Sequence, residues 1–163
     1  MVSLRARHKF SAPIEVVIGA LGDPDYHSSL DLPDVEAPQI VTCGHDGPRV
    51  VIDVRYEFTG RLDPVARRIV GRERVAWIQS LSLDPITRRG ELRITPELRG
   101  VRITCGAALA FVAAEDGGCT RTLDGELKVH VPIVGGRAEA SIAPGILRRI
   151  DVEAEALERW VAR

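Results

Sequence analysis

Residues 137–163, RAEASIAPGILRRIDVEAEALERWVAR, decide the fold. Ala143, Leu147, Ile150, Ala154, Leu157 and Val161 recur at steps of four and three. That spacing draws one apolar stripe along a helix running from about Arg137 to Ala162. The stripe must be buried against another element. Pro144-Gly145 interrupts the pattern near its start, and proline removes a backbone donor there, so a kink or a broken first turn is predicted.

What the helix packs against lies upstream. Val2–Phe10 alternates: Val2, Leu4, Ala6, His8 and Phe10 face one way, and Ser3, Arg5, Arg7 and Lys9 the other. This is a half-buried strand. Ser11 reads as a helix N-cap, with Pro13 in the first turn and Ile14, Val17, Ile18 and Leu21 on one face up to Gly22. Asp23-Pro24 opens a second short helix through about Leu30. Strands are predicted at 40–43 and 49–58, joined by the Asp46-Gly47 turn. Asp63-Pro64 caps a helix over Val65–Val70, closed by Gly71. Four further strands follow, at 72–83, 91–95, 101–113 and 120–131, separated by turn-formers. Strands that meander through short turns make an antiparallel sheet with one apolar face. The C-terminal helix alone can cover that face. The expected architecture is α+β: one helix-grip domain over residues 1–163, a curved antiparallel sheet around a long helix, with two short helices after the first strand. A gap between sheet and helix is the natural pocket.

The 163 residues are 45% apolar and 28% charged, which excludes disorder and collagen-like structure. The net charge of −1 leaves no overall field toward nucleic acid or an anionic membrane, so neither is expected as a partner. No apolar run approaches the ~18 residues a spanning helix needs, so no stable membrane insertion is expected. The opening MVSLRARHKF carries charges where a secretion signal is apolar. Three cysteines without a C-x-x-C pair argue against a disulfide framework; the expected location is the cytoplasm. Arginine supplies nearly all the basic charge, twenty residues against two lysines. No G-x-S-x-G, P-loop or dinucleotide-binding glycine pattern occurs, so no cofactor is expected, and Gly135-Gly136 reads as a tight turn into the final helix. Cys43 and His45 fall on one side of a strand but give only two ligands, short of a metal site.

Six inward positions are candidate ligand contacts. His8 is a lone imidazole among apolar neighbours, either a pocket-wall contact, a general base, or a core histidine bonded to backbone or water. Tyr56, Trp77 and Gln79 offer apolar area with polar handles, which suits orienting a ligand as well as ordinary packing. Cys105 and Phe111 lie on the inner face of the strand at 101–113, where Cys105 reads as a small filler rather than a nucleophile. Asp53, Arg55 and Glu57 face outward as a solvated surface, as do Lys128 and His130.

The stretches S-A-P-I-E-V-V at 11–17, D-P-D-Y at 23–26 and V-P-I-V-G-G-R-A-E at 131–139 resemble an actinobacterial family, DUF2505. It lies within the START and Bet v 1-like helix-grip superfamily, whose element order matches nearly the whole chain. The resemblance implies an internal hydrophobic cavity but no single chemistry, since that superfamily includes lipid carriers, cyclases, hydrolases and chaperone cofactors. Two readings follow from the cavity: a carrier or sensor of a lipid, sterol or polyketide-like molecule, or a small cyclase or dehydratase using His8 and Tyr56. A third is an interaction module acting through the outer sheet face.

Overall fold

The structure is a computed structural model that describes residues 1–163. Its elements run β1 (Val2–Phe10), α1 (Ile14–Leu21), α2 (Pro24–Ser28), β2 (Gln39–Asp46), β3 (Arg49–Glu57), α3 (Pro64–Val70), β4 (Ala76–Asp84), β5 (Arg89–Pro96), β6 (Ile103–Ala113), β7 (Cys119–Val129) and α4 (Gly135–Val161). The strands form one antiparallel sheet in the order β1-β7-β6-β5-β4-β3-β2. Six strands meander as hairpin neighbours, and β1 adds to the edge beside β7, the last strand. The sheet curves around α4, giving the α+β helix-grip architecture.

Alternation fixes which face meets the helix. Leu4 and Phe10 of β1, Ile52, Val54 and Tyr56 of β3, Leu81 and Leu83 of β4, and Leu123, Leu127 and Val129 of β7 are all buried. From α4, Ala138, Ala143, Ile150, Ala154 and Leu157 join them in one cluster. The backbone of α4 lies close to β1, β7, α1 and α3, and makes no comparable approach to β3, β4 or β5. Small residues at Ala138, Ala143 and Ala154 allow the close approach on the first side. No helix is long and apolar enough to cross a membrane.

Several local expectations change. Ser11 does not cap α1: the N-cap position is Pro13, without a side-chain bond. The Ser11 amide and hydroxyl instead bind the Glu158 carboxylate, tying the start of α1 to the end of α4. Asp23 and Asp63 do cap their helices, accepting from the Asp25 and Ala66 amides. β4 begins at Ala76 rather than 72, because Ala76 pairs with Glu57, where β3 ends. Helix α4 is not broken at Pro144. The carbonyl that loses its donor there is that of Ala140, an exposed residue that water can serve.

Candidate functional site

Cross-strand pairing assembles the interior polar groups. Tyr56 of β3 sits opposite Trp77 of β4, and their rings stack with centroids 5.8 Å apart. Gln79 is two residues along β4, on the same face. Across the sheet, Arg121 of β7 lies between His8 of β1 and Phe111 of β6. From the helix, Arg149 and Glu153 are one turn apart and pair at 3.6 Å. The Arg149 guanidinium rests 4.5 Å from the centroids of both Tyr56 and Trp77, a cation–π arrangement, and donates to the Gln79 carbonyl oxygen. Glu153 Oε1 accepts from the Tyr56 hydroxyl and the Gln79 amide, each at 3.4 Å, while the Glu153 carbonyl accepts from Tyr26 at 3.3 Å.

The second arm is a chain from Arg121 to solvent. Arg121 Nη2 donates to His8 Nδ1 at 3.1 Å, and His8 Nε2 lies 2.8 Å from the exposed Asp151 carboxylate. Arg121 has no lone pair to offer, so His8 Nδ1 is the acceptor and Nε2 carries the proton. Both imidazole nitrogens are therefore engaged. Nearby, His27 is buried with Nε2 on the Leu21 carbonyl at 2.6 Å.

Burial governs the titrations. It pushes the Tyr26 and Tyr56 hydroxyls well above the usual tyrosine range, with the Glu153 charge adding to both. It holds His27 below its ordinary 6.5, outweighing the opposing bond to Leu21. It raises the Cys105 thiol to about 11 against a smaller opposing pull from Arg149, so Cys105 stays a thiol. It also lowers Arg121, against the favourable charge of Glu153. Four buried nitrogens have no partner within the protein: Arg121 Nε, Arg149 Nη1, Trp77 Nε1 and His27 Nδ1.

The cavity implied by the family resemblance is nearly closed. Between α4, α2 and the sheet the open volume is about 30 Å³, lined by Leu21, Tyr26, His27, Gln79, Arg121, Glu153 and seven aliphatic side chains. That holds a water or two, where a ligand pocket needs ~300 Å³ or more. Beside this cavity, Arg149 occupies the space over the Tyr56 and Trp77 rings. Of the six residues singled out from sequence, Gln79 lines this cavity. His8 reaches it through Arg121, Tyr56 and Trp77 lie beside it under Arg149, and Cys105 and Phe111 are buried on β6 without lining it.

Sequence reasoning missed Arg121, Arg149 and Glu153, and Tyr26 and His27. Arg121 shares the phase of Leu123 and Leu127, and Arg149 and Glu153 flank Ile150 and Ala154 on the helix, so the periodicity carried their signal. The inner face accordingly carries Arg121, Arg149 and Glu153 among its aliphatic residues. Cys43 and His45 are exposed on β2, His27 is turned into the core, and no three potential ligands gather for a metal. Cys43, Cys105 and Cys119 are all free thiols. On the outer sheet face a solvent-open trough of about 560 Å³ crosses β3 to β7, floored by Ser80, Ser82, Gly106 and Ala108 and edged by Asp53, Glu91 and Asp124.

Solved structures share this helix-grip fold. TTHA0849 from Thermus thermophilus superposes with a TM-score of 0.68 at 17% identity, covering 99% of this chain and 97% of that one. Zhui aromatase/cyclase from Streptomyces sp. R1128 gives 0.68 at 15% identity, covering 99% and 94%. A START superfamily protein from Mycobacterium smegmatis gives 0.57 at 14% identity, covering 98% and 97%. At these identities the likeness is one of fold. No curated protein matches the chain in sequence. The family described as "Protein of unknown function (DUF2505)" matches residues 5–161, and the chain belongs to it.

Proposed function

We propose that this protein binds a small, mainly apolar molecule bearing a polar group, in the seam between α4 and strands β3 to β5. The observation that carries the reading is the pair of buried nitrogens at this seam, Trp77 Nε1 and Arg149 Nη1, that have no partner within the protein. Each unsatisfied polar group costs roughly 1–3 kcal/mol, and a ligand oxygen entering the seam recovers part of that. The geometry favours this side because α4 is bridged to β3 and β4 by the long side chains of Arg149 and Glu153. Swinging Arg149 off the Tyr56 and Trp77 rings vacates the volume that it fills and bares two aromatic faces. His8 has both nitrogens committed and Tyr56 holds its proton tightly, which favours binding over acid–base catalysis.

Tryptophan fluorescence in a Trp160→Phe background isolates Trp77 as reporter. Titration with fatty acids, sterols and aromatic polyketides should shift its emission for at least one class, and Arg149→Ala should weaken binding of that class by removing a donor for its polar group. A silent Trp77 across the panel overturns the reading.

A further inference from the structure

The net charge of −1 conceals a separation of charge along the molecule. The register places three connections at one end of the sheet: Glu57 pairs with Ala76, Trp77 with Pro96, and Ile103 with Val129. Residues 58–75, 97–102 and 130–134 therefore leave the sheet together. They are tied to one another, since the His130 amide bonds the Arg102 carbonyl and the Ser141 hydroxyl of α4 bonds Asp63. The first connection carries Arg61, Arg67, Arg68, Arg72 and Arg74, the second Arg99 and Arg102, and Arg137 opens α4 beside the third. These are eight of the twenty arginines, and all are exposed. Only Arg74 has a carboxylate within ion-pair distance, Glu57 at 3.6 Å. The acids of these connections are mostly engaged: Asp63 caps α3, and Arg55 holds Glu97 at 3.0 Å. Glu73 stands alone, and the 31–38 linker adds Asp34 and Glu36 beside β3. The far end is acidic. There, Asp151, Glu155 and Glu158 of α4, Glu15 of α1, Asp46 and Asp84 at the hairpin turns and Glu115 and Asp116 on the β6–β7 turn outnumber Lys9, Arg49, Arg88, Arg89, Arg159 and Arg163.

At the tip of the third connection stands Ile133, fully exposed at 100% and at φ 70°. A β-branched side chain in left-handed backbone is a strained placement, and here it holds an aliphatic group out into solvent. We propose that this end of the molecule docks on an anionic lipid surface, the arginines meeting headgroup phosphates while Ile133 enters the interfacial layer. Nucleic acid fits less well. An aliphatic tip gains nothing from a phosphate backbone, and among the three connections Phe58 is the one Phe, Tyr or Trp available for base stacking. The proposal is independent of whether the interior binds a ligand.

Cosedimentation tests it with phosphatidylcholine vesicles, with and without one third phosphatidylglycerol. Binding should require phosphatidylglycerol and weaken as salt is raised. Arg67→Glu with Arg68→Glu should lower partitioning about tenfold or more, given ~1 kcal/mol per basic residue near the surface. Arg99→Glu with Arg102→Glu, on a different connection, should do the same, which separates charge from damage to α3. Arg89→Glu with Arg159→Glu, at the far end, should change it less than about twofold. Ile133→Ser should weaken binding and leave the salt dependence unchanged. Absence of binding to either vesicle, equal binding to both, or an equal loss in the far-end variant overturns the proposal. Retention on DNA but not on vesicles, lost in the same arginine variants, overturns it by giving the surface to nucleic acid.

Discussion

Helix α4 meets the two halves of the sheet in different ways. Against β1 and β7 its backbone lies close, and Leu4, Leu127, Val129, Ala138 and Leu157 are buried together, with the buried Glu139 carboxylate at one end accepting from the Val129 amide and the N-terminus. Opposite β3 and β4 the contact is made by Arg149, Glu153, Tyr56, Trp77 and Gln79, long or aromatic side chains reaching across. The first half is held by burial, which is non-directional and hard to reverse locally. The second is held by bonds at the long end of the useful range and by an Arg whose rotamer can change. The proposed ligand seam lies in the second half, where side-chain bridges rather than close backbone packing join helix to sheet.

The comparison breaks most completely if α4 is removed. A chain ending at Gly136 exposes the inner sheet face, including Leu127 and Trp77. At ~25 cal/mol per Å² that loss should exceed the ~5–15 kcal/mol of a typical domain. Denaturant titration followed by circular dichroism should show no cooperative transition, and a folded truncation would refute the division of roles. A milder cut on the tight side is Leu127→Ala, at a position with no exposure. It should cost about 2–5 kcal/mol in equilibrium unfolding, since close-packed neighbours cannot collapse into the void.

The buried face and the charges on it were not equally legible in the sequence. Alternation in Val2–Phe10 and Val50–Phe58, with the stripe on the last helix, specifies which face is buried, because a period of two or 3.6 reports burial directly. Tyr56, Trp77 and Gln79 followed from the same parity. The buried face is therefore visible as pattern in both halves. The charged residues on it are not, because a charge at an inward phase reads as an exception until its partner is known. Arg121 gains its meaning from His8, 113 positions away, and Arg149 from Gln79, 70 away. The small cavity volume is likewise a balance between helix–sheet distance and side-chain size, and no local pattern encodes it. Pro144 signalled a break because propensity is local, whereas the packed helix tolerates one lost bond at an exposed carbonyl.

A smaller effect sharpens the comparison through pH. Burial depresses His27 below its ordinary 6.5, so the unfolded chain binds a proton that the folded chain refuses. Stability then rises with pH while the unfolded state holds more protons. This contribution is complete above 6.5 and is lost as pH falls below 6.5 toward the folded value. Unfolding midpoints measured from neutral pH down to the upper edge of the carboxylate range should fall. His27→Phe should flatten that slope, and an unchanged slope would show that His27 is not the group responsible.

The smallest expected change is the most telling. Replacing Arg149 alone by Met leaves Glu153 beside Tyr56 and Gln79 without its cation, and should destabilise measurably. Replacing both, as Arg149→Met with Glu153→Leu, removes the charges together. Buried pairs exchanged for apolar groups of similar size are often neutral or stabilising by ~1–4 kcal/mol, because desolvating two ions offsets their attraction. The double variant should therefore unfold at or above the parent's denaturant midpoint. If it instead loses as much as Leu127→Ala, the Arg149–Glu153 bridge is part of what holds the fold, and the half opposite β3 and β4 is not free to open. If stability is kept but Trp77 no longer responds to a ligand that moves it in the parent, the polar side chains are retained for recognition rather than for folding.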